Sequence, residues 1–303
     1  MSRILVTGAS GFIGGALTDH LLAKGHRVVG SYNKRKPEPR QGAIFERVRG
    51  LHSFSDWRPL LEGADLVVHC AARVHRNDKN RLGMNKQRAA NRDATLSLAE
   101  QAQAAGVRRF VFLSTIGAKL AKRPYQIAKL EAEEMLRSLY EEKEMEIVIL
   151  RAPLVVGPGG PGNLPRLARW IAKGRSLPLA SIDNQRSYVT LESLLAAIEL
   201  CLTHPAAPGG RFEVADPPPL ATPDVARALA EGMGREAKLS AFPPWLLNFL
   251  LWAVGREIMA EGLITDMLAD DGGLRETLGW QPPGDLRAAL NEVGAAALKR
   301  ISG

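Results

Sequence analysis

Residues 6–15 read VTGASGFIGG, with glycines at positions 8, 11 and 14. The run follows the apolar segment ILVT, which reads as a strand, and opens a helical pattern near Gly11 to Lys24. In a strand-to-helix turn, Gly8 permits the tight bend, Gly11 lets backbone approach a bound group, and Gly14 lets the helix pack closely on the strand. The helix N-terminus adds amide donors and the positive end of the helix dipole. The spacing is G-x-x-G-x-x-G rather than the commoner G-x-G-x-x-G, and an ordinary glycine turn is the bland alternative. Its position between a clear strand and a clear helix favours a dinucleotide cradle, with Ser10, Phe12 and Ile13 lying between the glycines.

Outward from this turn, apolar runs alternate with helical patterns. RVVGSY, DLVVHCAA, RRFVFLST and EIVILRAP read as strands, with a long helix near Arg88 to Ala105 and another over Ile127 to Glu142. Strands such as LVVH and FVFL are apolar on both faces, which fits burial by helices above and below. The fold class is therefore α/β, a doubly wound parallel sheet of Rossmann type over residues 1–150. Beyond Arg151, Pro- and Gly-rich loops (GPGGPGNLP, HPAAPGG, DPPPLATP) separate helices. Residues 151–303 read as a smaller α/β substrate lobe, with some segments returning to the sheet. The Pro217-Pro218-Pro219 run reads as a rigid connection.

Composition narrows the class. At 303 residues and 46% hydrophobic, the chain can bury a large core plus a smaller lobe. The two cysteines, Cys70 and Cys201, are far apart in apolar surroundings, which argues against a disulfide framework or a thiolate metal site; no metal is expected. No leader peptide is recognisable, so a cytoplasmic location is expected. The segment Trp245 to Val254 (WLLNFLLWAV) is well short of the roughly 20 residues that span a bilayer, so no integral membrane segment is expected. It reads as a buried or dimer-forming helix, with an interfacial membrane anchor as the alternative. A net charge of +8 attracts anions, but 6% aromatics and no basic run with interleaved rings disfavour nucleic acid.

The end of the second strand selects between dinucleotides. An acid there binds the ribose 2′-hydroxyl of NAD, whereas a base favours the 2′-phosphate of NADP. Here Tyr32 stands at the acid's place and Asn33, Lys34, Arg35 and Lys36 follow. The cations attract a phosphate, and Arg35 can bind it bidentately. NADP(H) is favoured; NAD(H) held by backbone alone beside a solvated basic loop is the alternative.

Tyr125 and Lys129 in YQIAK are four apart on a helical pattern, which puts both on one face. A nearby ammonium favours phenolate, so the pair predicts a lowered tyrosine pKa useful for proton transfer. The strand FVFL ends in Ser114-Thr115, which brings a hydroxyl to the same edge.

With TGASGFIG, HCAARVH, Asn91 in NRDATLSLAEQA, LST and YQIAK in order, the chain resembles the extended short-chain dehydrogenase/reductases of the NAD-dependent epimerase/dehydratase family. LRAPLVVGPGGPGNLPRL, NQRSYVTLESLLAAI and LGWQPP resemble its nucleotide-sugar 4-epimerase and 4-keto reductase branch. The resemblance implies that Tyr125 is the general acid/base at the sugar oxygen. Lys129 would hold the nicotinamide ribose, and Thr115 rather than Ser114 would hydrogen-bond the sugar. It implies that Ala71, Ala72 and Arg73 line the cofactor, that Asn163 and Leu164 meet the nucleotide diphosphate, and that Arg186 grips its phosphates. From the residues alone, Arg186 is equally a surface charge. A homodimer through the helices around Asn91 and Tyr125 is a family expectation.

Two departures bear on function. The stretch from Thr115 to Tyr125 is short for the branch, and Ala128 stands where a serine commonly precedes the lysine. Thr115 is followed by Ile116 and Gly117, not by the acidic pair that dehydratases use. Two reactions remain within the branch: the resemblance implies NADPH-dependent reduction of a UDP-4-keto-6-deoxy-N-acetylhexosamine for surface polysaccharide synthesis, with 4-epimerisation of a UDP-hexose or UDP-N-acetylhexosamine using retained NAD as the alternative. A non-catalytic NADP-binding sensor or scaffold is the reading of a different class. His75 reads as a loop histidine, and Asp270-Asp271 as a turn.

Overall fold

The computed structural model describes residues 1–74, 80–142 and 145–302. The first half runs β1 Arg3–Thr7, α1 Phe12–Ala23, β2 Arg27–Tyr32, β3 Ala43–Arg47, α2 Arg58–Leu61, β4 Leu66–His69, α3 Arg81–Arg88, α4 Ala94–Ala104, β5 Arg109–Thr115, α5 Pro124–Glu142 and β6 Glu146–Ala152. The second runs β7 Leu154–Val156, α6 Asn163–Ala172, β8 Arg186–Thr190, α7 Leu191–Thr203, β9 Arg211–Glu213, β10 Asp216–Leu220, α8 Thr222–Glu231, α9 Pro244–Ala253, α10 Glu257–Ile264, α11 Gly272–Leu278 and α12 Leu286–Ser302.

The main sheet has seven strands in the order β3-β2-β1-β4-β5-β6-β9, and every neighbouring pair is parallel. Strand order reverses between β1 and β4, so the glycine turn after β1 stands at the switch point where such sheets bind ligands. The central strands are apolar on both faces: Ile4, Leu5 and Val6 of β1 and Val67 and Val68 of β4 are fully buried. Sequence reading overlooks β3 (AIFER), which carries a glutamate and an arginine and lies at the edge of the sheet. An edge strand buries little, so its apolar signal is weak.

Two compact units divide the chain. The first comprises Met1–Ala152, Leu195–Val214 and Asp271–Gln281; the second comprises Pro153–Leu194, Ala215–Asp270 and Pro282–Gly303. The second holds a three-stranded sheet in the order β10-β8-β7. The proline run expected to be a connection is instead β10 itself, at the edge of this sheet, where missing N–H donors are tolerated. Helices α6, α8 and α12 enclose this unit's core around Ala168, Ala226, Leu229 and Leu290.

The helix expected to begin near Arg88 starts earlier, at Arg81, where the Asn80 side chain caps it by accepting from the Gly83 amide at 2.8 Å. Between α3 and α4 the chain makes one π-helical turn, Ala89–Asp93. The segment read as a buried helix is α9. Only its Leu247 is buried, while Trp245, Phe249 and Trp252 are exposed.

Candidate active site

The turn after β1 is shaped by sterics. Gly8 adopts φ +71°, a conformation that side chains disfavour, and a Cβ there would lie 3.1 Å from the Ala71 Cα. A Cβ on Gly14 would lie 2.3 Å from the Gly8 carbonyl oxygen, so α1 can rest on the turn only with glycine at this position. Gly11 precedes the first helical residue and donates its amide to Gly8 O at 2.8 Å. The amides of Phe12, Ile13 and Gly14 have no intrahelical acceptor, Ser10 and Gly11 are exposed, and no acid occupies the first turn. This backbone cradle fits the pyrophosphate of a dinucleotide.

The end of β2 is tied to that cradle: Ala9 donates to Ser31 O at 2.8 Å and Gly8 N to Ser31 Oγ at 3.2 Å. Asn33, Lys34, Arg35 and Lys36 follow, all exposed. A further cation, which sequence reading missed with β3, joins them. Arg47 pairs in register with Tyr32 and donates from Nε to Asn33 O at 2.9 Å.

Under the cradle runs a buried polar chain that spacing could not reveal. Ala71 N donates to Thr7 Oγ1 at 3.1 Å, and Thr7 Oγ1 meets His69 Nδ1 at 2.7 Å. His69 Nε2 meets Thr95 Oγ1 at 3.0 Å, and Thr95 donates to Asn91 O at 3.1 Å. With Ala71 donating to Thr7 and Thr95 donating to Asn91, the ring carries its proton on Nε2 and accepts on Nδ1. Burial, assisted by Lys129, lowers the His69 pKa to about 3, so the ring stays neutral. Asn91, within the π-turn, accepts from Arg73 N at 2.8 Å and donates to Arg73 O at 3.1 Å and Gln87 Oε1 at 2.6 Å. The segment Ala71-Ala72-Arg73 is thereby held at both ends. His75 lies outside the described residues.

Strand alternation separates the two hydroxyls at the end of β5. Ser114 is buried and donates to Glu133 Oε1 at 2.5 Å, whereas Thr115 Oγ1 accepts from Gly117 N at 3.2 Å and keeps its own proton to donate. The short stretch to Tyr125 is a 3₁₀ turn, Ile116–Lys119, followed by a loop that Gln126 staples. Its Oε1 accepts from Lys122 N at 3.0 Å and Arg123 N at 3.1 Å.

Lys129 departs from the expectation that it lowers the tyrosine pKa. Its Nζ donates to Leu113 O at 2.7 Å and sits 4.0 Å from the centre of the Phe112 ring. Burial lowers its pKa to about 7, opposed by the charge of Glu133 and by Cys70. Tyr125 is partly open to solvent, yet desolvation pushes its phenol up to about 12 rather than down. Glu133, one turn beyond Lys129, is fully buried and takes a two-pronged ion pair from Arg151, with Nη2–Oε2 at 2.6 Å. Glu213 bonds Lys119 at 2.9 Å and lies 3.5 Å from Arg151. Sequence reading missed Glu133; its signal was a lone acid on the apolar face of α5.

In the second unit, Asn163 opens α6 behind Gly162, whose φ is 97°. The Leu164 side chain is buried in that unit's core, which leaves only its backbone amide for a ligand. Arg186 is not a free surface charge: its Nη1 donates to Thr265 O at 2.6 Å and Glu261 O at 3.2 Å at the C-terminal end of α10. Asp271, read as part of a turn, ion-pairs with Arg275 at 2.7 Å.

A sequence profile described as the NAD dependent epimerase/dehydratase family matches residues 4–215. The chain belongs to that family. A UDP-glucose 4-epimerase of Vibrio cholerae is 32% identical over 98% of this chain and 95% of its own length. An Escherichia coli O157:H7 relative, an N-acetyl-alpha-D-glucosaminyl-diphospho-ditrans,octacis-undecaprenol 4-epimerase, is 24% identical over 72% of this chain and 68% of its own. The crystal structure of a Bacillus cereus UDP-glucuronic acid 4-epimerase in complex with NAD shares the fold, with a TM-score of 0.78, 22% identity and coverage of 98% and 96%. Family members are enzymes of the extended short-chain dehydrogenase/reductase type, and NAD is the cofactor by which the family is described.

Proposed function

We propose that the protein is an NADPH-dependent reductase acting at C4 of a diphosphate-linked 4-keto-6-deoxy-N-acetylhexosamine, with UDP as the carrier. The observation that carries the choice is the end of β2, where Tyr32 stands in the acid's place, exposed Lys34, Arg35 and Lys36 follow, and Arg47 bonds Asn33 O beside them. These cations would hold the 2′-phosphate; the amides of Phe12, Ile13 and Gly14 would hold the pyrophosphate. When bound, the reduced dinucleotide supplies the hydride.

The chain's own groups supply the rest. Tyr125, its pKa pushed up to about 12, holds its proton at neutral pH and releases it to the sugar O4 as charge grows there. Thr115 donates its hydroxyl proton to the same oxygen because its lone pair is already satisfied by Gly117 N. Lys129, fixed by Leu113 O, keeps further donors for the nicotinamide ribose. Asn163, the Leu164 amide and Arg186 would meet the diphosphate.

A second reading, 4-epimerisation with retained NAD, is supported by the name of the Vibrio cholerae relative. It requires Tyr125 to take up a proton before giving one back, which a phenol at about 12 resists until a bound cation lowers it. The test is to follow NADPH and NADH separately with UDP-4-keto-6-deoxy-N-acetylhexosamine made in situ. The reductase consumes NADPH, and Tyr125→Phe slows it by about 10²- to 10⁴-fold. Constant reduced cofactor with a changed C4 configuration in a UDP-sugar replaces this reading with the epimerase. Binding of NADPH with neither change leaves the non-catalytic sensor.

A further inference from the structure

The second unit carries an apolar surface that the C4 chemistry does not use. Helix α9, PWLLNFLLWA, contains no charged residue. Its Leu247 is buried and Leu251 packs against the core, while Trp245, Phe249 and Trp252 project outward at 71%, 55% and 60% exposure. Their i, i+4, i+7 spacing places them in one stripe, and the Phe249 and Trp252 rings stack at 6.2 Å. Leu250 and Val254, elsewhere around the helix and at its end, are exposed as well. An outward face more aromatic than the inward one reverses the usual pattern of a surface helix.

We propose that this face docks the protein onto an anionic phospholipid bilayer. Each aromatic side chain offers ~150–250 Å², so the exposed parts of the three sum to about 400 Å². A stable dimer needs about 800 Å² from each partner, so a second copy seated on this stripe alone falls short. The stripe also has no charged group to set the register of a protein partner. Tryptophan and phenylalanine on an uncharged helix are what the headgroup boundary of a bilayer accepts, with the rings entering and the axis lying flat. The chain's net charge of +8 adds long-range attraction to anionic lipid, and exposed Arg256 follows the helix directly.

The patch is mechanically tied to the candidate substrate groups of its own unit. Helix α10 packs on α9, Arg186 holds the Glu261 and Thr265 carbonyls of α10, and the Asn163 amide lies 3.4 Å from where a Cβ on Gly262 would stand. A bilayer seated on α9 therefore bears on the helix that positions Arg186.

The test is flotation of the purified full-length chain with vesicles of phosphatidylcholine containing one-third phosphatidylglycerol, at low and physiological salt. The wild type is expected to float with the vesicles. Its tryptophan emission should shift to the blue, and the triple variant Trp245→Ser/Phe249→Ser/Trp252→Ser should partition at least about tenfold less. Unchanged thermal unfolding and dinucleotide binding would show that the variant is folded. Wild-type protein that stays in solution at both salts overturns the proposal, as does flotation that survives the triple substitution. A self-association abolished by the triple variant, without vesicle binding, assigns the stripe to a second copy instead. Neither cofactor nor sugar enters the flotation itself, so its failure leaves the proposed C4 chemistry standing.

Discussion

The end of β5 with α5 and the end of β2 are both rich in cations, yet they differ in almost every physical respect. Lys129 is 2% exposed, held by a carbonyl and a ring, with a pKa lowered to about 7. Lys34, Arg35 and Lys36 stand in solvent. In the first place charge is a chemical variable set by neighbours; in the second it is a field that water and salt screen. Buried charge is coupled to folding, so substitutions there change stability and chemistry together. Exposed charge is free to specialise in ligand preference.

That contrast is tested hardest at Glu133. Replacing it by alanine leaves Arg151 buried without its two-pronged partner and removes the acceptor of Ser114, which should cost about 3–5 kcal/mol in denaturant unfolding. A loss below about 1 kcal/mol would show that the network is not buried as described.

Lys129 provides a smaller and pH-dependent effect. Its pKa falls from 10.5 unfolded to about 7 folded, so between those values the unfolded chain binds the extra proton and stability rises with pH. The penalty is fully present below pH 7. The difference between wild type and Lys129→Met should therefore move in favour of wild type by about 1–2 kcal/mol from pH 7 to pH 8.5. A flat difference would mean that the amine stays charged throughout.

At the other end of the comparison, Lys34→Glu/Arg35→Glu should leave unfolding within about 0.5 kcal/mol of wild type. It should lower the ratio of NADPH to NADH affinity by about 10- to 100-fold, the loss of one or two charge-assisted hydrogen bonds. Raising salt should weaken NADPH binding in wild type more than in the variant. Destabilisation by this pair, or an unchanged ratio, would break the division between buried and screened charge.

The site was legible in the sequence where one residue type has few alternatives. Gly8 and Gly14 could be assigned from spacing because backbone conformation and close approach exclude other residues, and the structure places backbone where their side chains would be. The doubly wound sheet followed from apolar strands alternating with helices, since hydrophobic period is a local property. Thr7, His69, Thr95 and Asn91 form one chain whose bonded partners lie as much as 62 positions apart, and no local pattern marks them. Arg47 was missed because its strand buries too little to show an apolar signal.

The amino-acid sequence alone determined the alternation of buried strands and helices in the first half, the glycine cradle at the first turn and the family, because each is written in spacing that the backbone reads locally. Tertiary structure alone decided which way the side chains at these places face. It turned the Lys129 amine onto Leu113 and Phe112, raised rather than lowered the Tyr125 pKa, set Ser114 inward and Thr115 apart from it, and left the aromatic stripe of α9 in solvent. Burial and charge coupling depend on what the rest of the chain packs around a group, and spacing along one element does not carry that information.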